Sequence, residues 1–90
     1  MSLPELTPWW FIWFAVRGEI VGGVIMKTDE IGYFPDKEAL EFAGMKDPET
    51  AVTGCMLDTA ELRTVGSGKR VLNKASVREL GKKIRMEMRP

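Results

Sequence analysis

The sequence predicts a small α+β domain: an antiparallel or mixed sheet opened by an aromatic β-hairpin, with two short helices, in the approximate order β-β-α-β-β-β-α. Three observations lead there. An unbroken apolar octet, Trp9 to Val16, is followed within three residues by a second apolar run. Two later segments, Asp36 to Gly44 and Ser76 to Met86, carry helix start signals and helical spacing. Ninety residues with 44% hydrophobic and 29% charged side chains suit one folded domain, residues 1–90, near the lower size limit for unaided folding.

The octet Trp-Trp-Phe-Ile-Trp-Phe-Ala-Val is too short for periodicity to separate strand from buried helix. Its aromatic content and the following Arg17-Gly18-Glu19 favour a strand, whereas Pro8 after Thr7 is the feature that would suit a helix start. Gly18 supplies the positive φ of a tight turn, and Ile20 to Lys27 reads as the returning strand. A two-residue loop places Trp13 opposite Gly22 and Ile12 opposite Gly23. A three-residue loop shifts the register to Phe14–Gly22 and Trp13–Gly23. Both set an aromatic ring over strand glycine, where it covers backbone that lacks a side chain. The alternative use of the glycine pair is close approach by a ligand or another backbone.

After a turn through Gly32 and Pro35, Asp36 to Gly44 reads as two turns of helix with an acidic N-cap and a terminal glycine. Ala39, Leu40, Phe42 and Ala43 form its expected buried side. Ala51 to Leu57 is a third strand, and Leu62–Val65 with Arg70–Asn73 reads as a further hairpin around Gly66-Ser67-Gly68. Asp58-Thr-Ala-Glu61 has capping-box spacing and offers a helical turn instead; Ser76-Val-Arg-Glu79 repeats that spacing before a helix from about Val77 to Met86.

Composition narrows the chemistry. Histidine is absent, which removes the usual general base, the usual partner of a Cys or Ser nucleophile, and the commonest transition-metal ligand. Cys55 is the single cysteine, so no internal disulfide forms and a cytoplasmic location is expected. It is read as a core residue rather than a nucleophile. Gly66-Ser-Gly-Lys69 evokes a phosphate loop, but Arg63 stands where the motif's first glycine belongs and Arg70 replaces its Ser or Thr. Asp29, Glu30, Asp36, Asp47, Glu49 and Asp58 lack the spacing of a calcium loop. No cofactor, metal or enzymatic activity is expected. Arg17 and Glu19 interrupt the only long apolar region at a cost of roughly 2.5–3.5 kcal/mol each, so no membrane span is expected. Glu5, with no Lys or Arg before the run, argues against a secretory signal.

Two surfaces remain as functional candidates. In a strand, Trp9, Phe11, Trp13 and Ala15 point to one face and Trp10, Ile12, Phe14 and Val16 to the other. Each aromatic buries about 150–250 Å², and two short helices cover one face of a sheet. An uncovered aromatic face is therefore expected, and Trp9, Trp10, Phe11, Trp13 and Phe14 are the candidate interface for self-association or a protein partner. A third occupant, a hydrophobic ligand behind the tryptophans, lacks convergent polar groups to orient it. The second surface is electrostatic. Residues 69–90 carry eight basic against two acidic side chains, net +6, while the rest carries five against eleven, net −6. On a C-terminal helix Arg78, Lys82 and Arg85 would form one basic stripe able to contact nucleic-acid phosphates. The plainer reading is a solvated face whose cations suit the helix C-terminus, since the basic segment has no aromatic residue for base stacking. The expected function is a non-enzymatic interaction or accessory domain, with nucleic-acid binding as the alternative.

Overall fold

The structure, a computed structural model, describes residues 8–28, 34–66 and 68–86. The turn expected at Gly32, the carboxylates Asp29 and Glu30, and Met88 lie outside these. The chain is α+β: the described residues form four antiparallel strands, β1 (Trp9–Val16), β2 (Glu19–Lys27), β3 (Thr50–Leu57) and β4 (Arg70–Asn73), and three helices, α1 (Asp36–Ala43), α2 (Thr59–Val65) and α3 (Lys74–Lys83). The strand order is β3-β1-β2-β4, so the aromatic hairpin forms the centre of the sheet.

The hairpin combines both registers that the sequence allows. Arg17 and Gly18 both have positive φ (53° and 80°), as a two-residue turn matched to strand twist requires, and Val16 pairs with Glu19 and Ala15 with Ile20. The register then shifts by one residue between Phe14 and Ala15, so Phe14 opposes Gly22 and Trp13 opposes Gly23. The extra residue is Val21, left 42% exposed.

The glycine pair makes room for backbone and for α3. A Cβ at Gly23 would stand 2.5 Å from the Ile12 carbonyl oxygen and 2.9 Å from Val77 Cγ2; one at Gly22 would stand 2.9 Å from the Leu72 carbonyl oxygen on β4. The close approach inferred as an alternative at these glycines is thus made by the chain's own helix and edge strand.

One predicted strand is a helix. Residues 59–65 form α2 because the capping box prevails over the apolar run: Glu61 N–H donates to Asp58 Oδ1 (2.8 Å), and Asp58 N–H donates to Glu61 Oε2 (3.1 Å). The guanidinium of Arg70 donates to the Val65 carbonyl at the other end, where orphan carbonyls need a donor. Helix α3 begins earlier than its Ser76 signal suggests. Asn73 is the cap, accepting from Ser76 N–H at 2.8 Å. In α1 the acidic cap is likewise displaced: Pro35 precedes the helix without a side-chain cap, while Gly44 ends it at φ 71°.

Three helices divide over two faces. Helices α2 and α3 cover the face of Phe11, Trp13, Ile25 and Leu57, adding Leu62, Val65, Val77 and Leu80. Helix α1, with Phe34 just before it, covers the face of Ile12, Phe14, Val24 and Met26, adding Ala39 and Leu40. The sheet is therefore the middle layer, with an apolar cluster on each side.

Candidate functional site

The uncovered aromatic face expected from the sequence is not formed. Phe11 and Phe14 are fully buried, on opposite faces, and Trp13 is buried beside Phe11 with ring centroids 5.2 Å apart. These three side chains serve the fold and offer nothing to a partner. Trp9 and Trp10 are half-buried at the end of β1 away from the hairpin turn. Trp10 meets the Phe34 ring edge-on at 5.5 Å. Its indole N–H is buried and has no hydrogen-bond partner among the described residues, as has the Thr50 hydroxyl. The expectation fails because the two helices legible in the sequence pack on opposite faces of the sheet, α1 on one and α3 on the other, with α2 added beside α3.

Apolar exposure has moved to the margins. Met56 on β3 is 54% exposed and Val71 on β4 56%, with Phe42 of α1 at 40% despite its place on the predicted buried side. Met56 shares the α1 face with Trp10, opposite which it lies in the ladder. The two outer strands differ in how they meet solvent. Strand β4 is four residues long and carries Arg70, with Lys69 before it and Lys74 after it. Short length and flanking cations are the usual protection of a sheet edge. Strand β3, Thr-Ala-Val-Thr-Gly-Cys-Met-Leu, is eight residues long without one charge or proline. Among the described residues, its outer edge pairs with no strand. Ala51, Thr53 and Met56 are exposed along it.

The basic stripe is present with altered membership. Arg78 and Lys82 are exposed on α3, and Lys74, one turn before Arg78, lies in line with them at i, i+4 and i+8. Arg85 does not join them. The helix ends at Lys83, and Arg85 takes φ 58° while its N–H donates to the Lys82 carbonyl (3.2 Å) and Met86 N–H donates to Gly81 (2.8 Å). This is the left-handed helix terminus usually given to glycine. A shallow groove of about 380 Å³ runs between β4 and α3, with Arg70 and Glu79 among its lining side chains.

The terminus after α3 carries Met86 to Cys55, whose thiol lies 3.3 Å from the Met86 sulfur. Burial, and secondarily the charge of Glu61, push the Cys55 thiol above its ordinary range, away from nucleophilic activation. Among the described residues no three Cys, Asp or Glu side chains gather as a metal site. No described helix is long and apolar enough to cross a membrane. Comparison with protein-family models, curated proteins and solved structures found no match for this chain.

Proposed function

We propose that this chain is a non-enzymatic, cytoplasmic interaction domain that associates with its own copies or with a protein partner by lengthening its sheet at the β3 edge. The supporting observation is the contrast between the two outer strands: β4 is short and fenced by cations, while β3 is long, uncharged, free of proline and bordered by exposed Met56. An added strand satisfies the outward backbone groups of β3, and its side chains meet those of Ala51, Val52, Thr53 and Met56. The test is Thr53→Lys, which puts a charge on the open edge at an exposed position. Solution mass is measured across a dilution series at about 0.1 M and 1 M salt. The wild type should exceed the 10.1 kDa of one chain at high concentration in both salts, and the variant should remain at one chain with unchanged stability. A wild type that is monomeric throughout and captures no protein partner would remove the reading.

The row Lys74, Arg78 and Lys82 supports a second reading, contact with nucleic-acid phosphates. Charge reversal at all three should abolish any steeply salt-dependent DNA or RNA binding. Absence of binding at low salt would dispose of it.

A further inference from the structure

Resting on the edge-pairing reading, we infer that the partner of β3 is a second copy of the chain, its β3 antiparallel to the first, with a two-fold axis normal to the sheet passing between the two Gly54 residues. Such an axis keeps corresponding sheet faces on the same side, so each residue must oppose one of the same parity. Only registers centred on a residue satisfy this, and the side chains of β3 distinguish among them. Centred on Gly54, Met56 lies beside the partner copy's Val52 on the α1 face, twice by symmetry. Leu57 lies opposite Ala51 and Cys55 opposite Thr53 on the other face. Each large apolar side chain then meets a smaller one, and the axis crosses a pair without side chains. Centred on Thr53, Met56 instead meets Thr50 and Val52 meets glycine, leaving the most exposed apolar group of β3 against a polar one.

The sheet around Gly54 suits this position. A Cβ there would stand 2.7 Å from the Phe11 carbonyl oxygen and 3.0 Å from the Phe34 ring, so the α1 face over Gly54 is already closed by the chain itself and leaves no room for a side chain at the axis. Residues 51–57 of each copy would pair over about 24 Å and join two four-stranded sheets into one of eight strands. A contact through one strand pair is smaller than the roughly 1,200–2,000 Å² of stable complexes, so weak dissociation, in the micromolar range, is expected.

Cysteine trapping reads the register directly. With the axis at Gly54, residue 53 of one copy faces Cys55 of the other at about 4.5–5.5 Å between Cα atoms, within disulfide reach. Two Cys55 residues lie diagonally at about 7–8 Å, at or beyond it. Under oxidised glutathione, Thr53→Cys should yield a covalent dimer, whereas the wild type and Thr53→Cys/Cys55→Ser should not. Wild-type trapping would place the axis at Cys55, and trapping of Thr53→Cys/Cys55→Ser would place it at Thr53. A wild-type dimer by light scattering with either of those patterns, or with no trapping, overturns the Gly54 register while leaving edge pairing standing. A wild type that is monomeric up to about 1 mM, beyond the range expected for a weak interface, overturns the second copy as occupant. Circular dichroism of each variant confirms that the exposed substitution at Thr53 leaves the fold intact.

Discussion

Gly23→Ala tests whether the glycine pair exists to admit α3. The added methyl would sit 2.5 Å from the Ile12 carbonyl oxygen and 2.9 Å from Val77 Cγ2, so strand and helix must both yield. Overpacking of this kind costs about 1–3 kcal/mol, and a contact with backbone places the expected value at about 2–3 kcal/mol. A 90-residue domain has only about 5–13 kcal/mol in hand, so the loss is a substantial fraction. With a urea slope near 1 kcal/mol per molar, the midpoint should fall by about 2–3 M. Val77→Ala alone should cost about 2 kcal/mol, from lost methyl burial and a partly collapsed cavity. It also frees the space into which the new methyl points, so Gly23→Ala should cost about 1 kcal/mol less in that background. The residue of its cost comes from Ile12. A Gly23→Ala protein within about 0.5 kcal/mol of wild type, beyond which surface-like neutrality ends, would refute the reasoning. Equal penalties in both backgrounds would refute the role of Val77.

Trp13→Ala should lower folded-state stability by about 3–5 kcal/mol, read by denaturant titration at concentrations where the protein is monomeric; a folded monomer of wild-type stability would return Trp13 to the candidate interface. Arg85→Gly should raise stability by about 0.5–1 kcal/mol, because glycine removes the left-handed penalty at φ 58° while adding some unfolded-state entropy; a lower melting temperature would count against the helix terminus described. Cys55 should react with iodoacetamide more slowly than a free small thiol and gain speed on unfolding in urea, since its thiol is held protonated by burial. The sign of the linked effect follows: an acid whose folded pKa is raised leaves stability intact below the ordinary thiol range and lowers it as pH rises through that range. Stability of wild type that tracks Cys55→Ser at every alkaline pH would contradict it.

The central hairpin is legible from residues because an aromatic run, a positive-φ turn and a glycine pair all constrain the same pairing. The mixed register is less so: the two-residue turn and the shifted strand body are each compatible with the sequence, and only the bulge at Val21 reconciles them. At residues 59–65 two signals compete, a capping box and a short apolar run, and local hydrogen bonds at Asp58 and Glu61 decide for helix. The functional inference is reversed by a different feature: it rested on both predicted helices covering one face, whereas α1 and α3 pack on opposite faces and α2 only adds to the α3 side. Arg85 shows a different limit. Helical spacing extends the basic stripe through it, but its left-handed backbone conformation has no signature in an arginine. The marginal place of β3 was also hidden, because an uncharged strand reads alike at the centre and at the margin; its place depends on strand order, which pairing between distant segments determines.

Amide spectra of the labelled protein across a dilution series test edge pairing most directly. Signals of Ala51 to Leu57 should shift with concentration, with outward amides gaining protection from exchange, while Trp13, Phe14, Lys74 and Arg78 stay unmoved. A spectrum invariant across the series, or shifts confined to α3, would contradict association through β3.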